Sequence, residues 1–291
     1  MKKICLITAL FVMPFVSFMA QEKIIVSDDS LSFANSKMPG FTIFIPEADY
    51  EKTVKNWTKL LESGTRSKVI DKNNEMTIFG ARIKEISDNP VNIYSIINDN
   101  DESVELQAAI ELERDQFIGV TEAGKAKEYL FDFAREQYLD VANEQLDDEK
   151  SKLRSLENEL STLQREQERI ERSSRENAKV IAEEQERIKS LNQELDYLTS
   201  ETTVSDTSVI GMGGRNTNVN KDREKEIKKT EREIRTAEKK ISRSESEIDA
   251  NSHEIPRNAE AREELRNRIT EQQVIVSSYE NKVDVIKKSE L

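Results

Sequence analysis

Two periodicities divide this chain. Over residues 41–112 apolar and polar positions tend to alternate, whereas from Leu139 onward apolar residues recur at spacings of three and four. Alternation marks half-buried strands, and the longer period marks helices that bury one stripe. Phe41, Ile43 and Ile45 predict a strand. Tyr50, Val54, Trp57 and Leu61 then fall on one helical face, with Asp49 placed to cap the first turn and Gly64 to stop the last. Strand-like runs follow at 68–71, 76–86, 91–97 and 104–112. Asn73-Asn74, Asp88-Asn89-Pro90 and residues 98–101 separate them as turns. A strand, a helix and about four meandering strands predict a small α+β domain, with the helix on one face of an antiparallel sheet.

The second pattern is a heptad seam. Thr121 is placed to cap a helix from Glu122. One core series then reads Leu139, Leu146, Leu153, Leu160, Gln167, Ser174, Ile181, Ile188, Leu195, and the other Ala142, Glu149, Leu156, Leu163, Ile170, Asn177, Glu184, Leu191, Leu198. Thirteen of these eighteen positions are apolar, with no stutter, so chance spacing is excluded. Thr, Ser, Asn and Gly dominate 199–220 and interrupt the seam. It resumes from Ile227 and Thr230 and runs to Val283 and Ile286, with twelve of eighteen positions apolar. Each arm is about 90 Å long at helical rise.

Folding the chain back on itself matches positions whose numbers add to 425. Leu198 then meets Ile227, Ser174 meets Asn251 and Gln167 meets Asn258. Polar core residues facing each other select this register, because an unpaired buried amide is costly. A slip of one heptad would set Leu160 against Asn258. The fold expected is a small N-terminal α+β domain followed by a long antiparallel two-helix coiled-coil hairpin, mostly α overall. Its parts are a leader at 1–20, the globular domain at 21–120 and the hairpin at 121–291. Within the hairpin the arms are expected at about 122–198 and 221–288, joined by a tip loop at 199–220. A parallel homodimer or a higher bundle is the competing arrangement.

Charge sharpens this picture. Residues 21–120 hold 18 acids and 11 bases; 121–291 hold 39 and 31. The aromatic residues concentrate in the first part, so a compact core belongs there and solvated helices belong after it. The formal net charge is −13. That balance argues against nucleic acid as partner and against a basic membrane-surface helix. Lys2 and Lys3 before the apolar run of 4–20 read as a secretory leader, cleaved near Ala20 to leave Gln21 first. Export to the periplasm or beyond follows, with no membrane insertion after leader removal. The single Cys, Cys5, lies inside that leader, so disulfide frameworks and Cys/His zinc sites are excluded.

Candidate chemistry is sparse. Gly211-Met212-Gly213-Gly214 lacks the Lys-Ser/Thr of a phosphate loop and follows no strand. Asp99, Asp101 and Glu102 lack the Gly and distal Glu of a calcium loop. Asn56-Trp57-Thr58 is a formal glycosylation acceptor set on an amphipathic helix. His253, the only His, has no nucleophile patterned beside it. The expectation is a non-enzymatic protein with no catalytic, cofactor or metal residues. It would be a structural or scaffolding protein of the cell envelope that meets a protein partner and could self-associate. Val204, Val209, Ile210, Met212 and Val219 are the candidate contact residues. Pro256, with Gln167, Ser174, Asn251 and Asn258, marks a candidate joint, where a missing backbone donor coincides with polar core layers. The alternatives are a ligand-binding or enzymatic N-terminal domain with an oligomerising tail, or a periplasmic holdase chaperone.

Overall fold

Alternation is cleanest at Val91, Ile93, Ser95 and Ile97, which point inward from one strand, and at Val104, Leu106, Ala108 and Ile110, which point inward from the next. The computed structural model describes residues 23–34, 36–72, 74–118, 123–208 and 217–291, without the side chains of 201–220. The order is β1 (Val26–Phe33), β2 (Ser36–Pro46), α1 (Tyr50–Leu61), β3 (Ile70–Lys72), β4 (Glu75–Ala81), β5 (Val91–Asn100), β6 (Ser103–Glu113), β7 (Gln116–Phe117), α2 (Ala123–Ser208) and α3 (Thr217–Lys287). The seven strands form one antiparallel sheet in the order β1-β2-β6-β5-β4-β3, with β7 beside β6. Strands β3 to β6 are the meander that the alternation predicts.

Helix α1 forms where its apolar spacing places it. Asp49, in extended conformation, accepts from the Lys52 amide at 2.7 Å. Glu62 caps the other end, and Gly64 takes a positive φ of 71° just beyond. Trp57 and Leu61 are buried on the sheet, and the Trp57 indole donates to Ser95 Oγ at 3.0 Å, so the large ring is buried without an orphaned donor. The first turns of α2 share this core through Ala126, Leu130, Phe131, Phe133 and Ala134.

Three features differ from the sequence expectation. The strand expected over 76–86 ends at Ala81, because Gly80 adopts φ 76° and a bulge lies between Ile78 and Ala81; Ile83 and Ile86 still enter the core from a turn. Strand β1 carries Ser-Asp-Asp-Ser at its centre, so its alternation is confined to Leu31 and Phe33 at one end and is too short to reveal it. Helix α2 continues to Ser208 and α3 starts at Thr217, so the helices enter the stretch expected as loop from 199 to 220. Thr199 and Ser200 keep helical geometry by donating back to the carbonyls of Leu195 and Tyr197. Thr121 and Glu122, and the leader, lie outside the described residues.

The chain divides into two compact units. The first takes residues up to Glu149 together with Ile275–Leu291, and the second is Lys150–Val274. Within the second unit α2 and α3 pack together in opposite directions: Asn251 meets Ser174, Lys240 meets Glu184, and Arg187 meets Glu233. Ile170, Leu198, Ala237, Leu265 and Ile269 are buried at heptad positions there. Among the described residues no helix is long and apolar enough to cross a membrane.

Candidate functional site

The polar positions of the heptad seam gather in the second unit. Asn251 donates to Ser174 Oγ at 3.0 Å, and the Ser174 hydroxyl donates on to the Ile170 carbonyl at 3.1 Å. Ile170 itself is 3% exposed, so this polar layer borders a dry apolar one. Gln167 and Asn258, which the simple register sets opposite each other, take other hydrogen-bond partners. Gln167 accepts from Arg262 and passes a hydrogen bond to Glu171, while Asn258 donates to the Leu163 carbonyl at 3.1 Å. The longer Arg262 side chain wins the Gln167 carbonyl because a guanidinium is the stronger donor. Asn258 is buried, and its Oδ1 has no protein hydrogen-bond partner; nor has Arg262 Nε. Pro256 lies within α3, between these residues.

About three turns further along from Ser174, Glu184 is buried at a heptad position with Lys240 Nζ 2.6 Å away. Arg187 then pairs with Glu233 across the helices at 3.3 Å. Charge pairing on the flanks thus repeats the direction that the core amides set.

The first unit holds a second cluster, formed by residues far apart in sequence. Lys282 Nζ, its side chain 10% exposed, donates to both carboxylate oxygens of Glu47 at 2.7 and 2.9 Å and to Gln145 Oε1 at 3.0 Å. It also stands over the rings of Tyr138 and Tyr279, at 5.3 and 5.9 Å. All three ammonium donors are used, so the group binds protein rather than ligand. Burial pushes the Glu47 carboxyl up, but hydrogen bonds from Lys282 and Gln145 and the Lys282 charge outweigh it and hold it below its ordinary value. Glu47 itself sits at φ 56°. On the far face of the sheet Glu111, buried, accepts from Asn92, Tyr94 and the Asp115 amide. Burial raises it and these bonds lower it further, while burial pushes the Tyr94 hydroxyl up.

Helices α1 and α2 flank an open groove of about 940 Å³, lined by Lys55, Asn56, Lys59, Gln137, Leu139 and Asp140 among others. Asn56 donates to Gln137 at 2.7 Å across it, so this amide is engaged within the fold. His253 is exposed, 3.9 Å from Asp249. Among the described residues no three His, Cys, Asp or Glu side chains gather as a metal site. Of the candidate contact residues, Val204 and Val219 lie in the ends of α2 and α3, where side chains are not described. Val209, Ile210 and Met212 lie outside the described residues. The joint residues Gln167, Ser174, Asn251, Asn258 and Pro256 are brought to one stretch of the paired helices. Lys282 and Glu47 were not legible from sequence: 235 residues separate them, and neither breaks a local pattern. No protein-family model matches the chain, and no curated protein sequence matches it.

Proposed function

We propose that the chain is an exported structural protein of the cell envelope, whose α2 and α3 form an antiparallel two-helix coiled-coil hairpin that contacts a protein partner. The observation that carries this reading is the Asn251–Ser174 bond at 3.0 Å. It pairs two core polar residues in the register in which both heptad series run longest, and such pairs serve to specify alignment at a cost in stability. A chain selected for a long, aligned helical pair is selected for reach and geometry. The Lys2-Lys3 leader supports export, and the acidic charge of −13 supports a protein rather than nucleic acid as partner. The tip, with Val204, Val209, Ile210, Met212 and Val219, is the proposed contact. The level of Pro256 is proposed as a joint that lets the tip move.

The test is site-specific photo-crosslinking in the intact envelope from positions 204–219. A defined partner should be captured, and replacing 204–219 by a short Gly/Ser turn should abolish capture while helicity persists. Undiminished capture after that replacement would move recognition to the N-terminal unit. N-terminal sequencing of the mature chain should begin near Gln21, and Met1 on a membrane-bound product would end the export reading. The groove between α1 and α2 favours one second reading, a ligand-binding N-terminal unit with the helices as an oligomerising tail. The measured mass of the purified chain in solution separates the two, since a hairpin closes on itself and a tail does not.

A further inference from the structure

The two faces of the sheet are closed in different ways. Helices α1 and α2 cover one face, and the tip of the β1–β2 hairpin folds across the other. Pairing of β1 with β2 runs out to Phe33 opposite Ser36, but β2 pairs with β6 only from Phe41 to Pro46. Residues 36–40 therefore have no β6 ladder, and β7 takes that flank of β6 at Glu111 and Glu113. The free end of the hairpin lies over its own sheet. Leu31 and Phe33 are buried with Ala109, and Met38, Tyr94, Ile96 and Phe117 pack around them. The Phe33 ring meets Tyr94 edge-on at 5.4 Å, and Tyr94 also meets Phe117 and Phe79. The Ala34 amide, at the tip, donates to the Glu75 carboxylate on β4 at 3.2 Å.

We infer that this hairpin tip is a releasable strap, with Phe33 as a plug in an aromatic slot floored by Ala109 and walled by Tyr94, Ile96 and Phe117. Three observations carry it. The cluster under the tip is separate from the main core, so lifting the tip leaves Trp57, Ile78 and Ile93 covered. Among the described residues, one exposed hydrogen bond ties the tip to β4 beyond its apolar contacts. The base of the hairpin, by contrast, is pinned: Thr42 donates to Asp29 at 2.7 Å and Lys127 pairs with Asp28 at 2.7 Å. The departure point is Gly40, whose backbone runs so close to β6 that a Cβ there would lie 2.6 Å from the Ala108 carbonyl oxygen. A segment whose apolar contacts form a small cluster of their own, on a pinned base, opens locally at a lower free energy than the whole fold. Release bares the slot beside Phe79, which is itself 52% exposed and meets Tyr94 edge-on. The inference is independent of the helical hairpin.

Methionine oxidation by hydrogen peroxide in the full-length chain tests it. Leu31 and Met76 are each 2% exposed, one under the strap and one in the main core. Leu31→Met conserves volume and places a thioether under the tip. That thioether should oxidise about tenfold faster than Met76, or more, because it follows local rather than global opening. Adding Phe33→Ala should speed the reporter again and leave Met76 unchanged. A reporter that reacts no faster than Met76, or that ignores Phe33→Ala, overturns the strap. So does a Met76 rate that rises with Phe33→Ala, since the tip would then belong to the main core.

Discussion

Replacing the core amides by leucine should stabilise the paired helices, and the structure says by how much. Asn251→Leu gives up a bond to Ser174 Oγ, worth about 0.5–1.5 kcal/mol, and a long contact of 3.5 Å to the Ile170 carbonyl, which keeps the Ser174 hydroxyl as a donor. Ser174 is not orphaned, because its hydroxyl still donates to the Ile170 carbonyl. Asn258→Leu gives up a bond to the Leu163 carbonyl, which lies inside α2 and keeps its helical partner, and it removes the buried Oδ1 that has no protein partner. A leucine contributes about 1.5–3 kcal/mol at the buried Asn258 site, and an amount at the low end of that range at the half-buried Asn251 site. The net gain is then about 1 kcal/mol for Asn251→Leu and about 2 kcal/mol for Asn258→Leu. The sites are two turns apart on α3, so their effects should nearly add, to about 3 kcal/mol. Urea unfolding followed at 222 nm reads the helices, while fluorescence of Trp57, the only tryptophan, reads the first unit separately. The helical midpoint should rise in each variant and the Trp57 midpoint should stay. A fall in the helical midpoint for either single variant would refute the reasoning, since the amides would then stabilise on balance rather than specify alignment.

Three further outcomes follow from the same geometry. Gly40→Ala should destabilise the first unit by about 1–3 kcal/mol by forcing β2 away from the Ala108 carbonyl, read as a lower Trp57 midpoint with the 222 nm transition little changed. Glu47 and Glu111 both titrate below their ordinary value of 4.5 in the fold, so their contribution is complete above that pH and is lost as pH falls through the folded values; urea midpoints of the first unit should drop below about pH 4.5, and Glu47→Gln should flatten that dependence. Pro256→Ala restores a backbone donor within α3 and should narrow the distance distribution between spin labels at 150 and 200, whereas equal widths before and after would remove the joint.

Where periodicity was strong, it led to the structure. The inward positions of β5 and β6 and the Asp49 cap of α1 follow from spacing alone, because a half-buried strand and an amphipathic helix leave a one-dimensional trace. What left too short a trace was β1. Its Ser-Asp-Asp-Ser centre is the chemistry of an edge strand, where charge discourages pairing with another chain, so the feature that protects the edge also hides it. The helix ends were hidden for a related reason. Thr and Ser read as loop residues, yet Thr199 and Ser200 satisfy their hydroxyls on the preceding turn and stay helical.

The sites divide on the same physical ground. Asn251 and Ser174 could be paired on paper because a heptad seam fixes which residues face each other once one alignment is chosen, and an amide among apolar layers tolerates few alignments. One step on, at Gln167, the rule does not give the hydrogen-bond partner. Heptad arithmetic treats every core position as a point, whereas Arg262 reaches along the helix axis and takes the acceptor meant for Asn258. The Glu47–Lys282–Gln145 cluster and the strap over Tyr94 lie beyond any such arithmetic, since each depends on where whole elements cross. A lysine in a helical heptad and a phenylalanine at a hairpin end are ordinary in sequence. They become a fastening and a plug only when the fold brings a carboxylate to one and an aromatic slot to the other. Such crossings carry contacts that local pattern is silent about, whereas the regular seam is what makes the sequence readable.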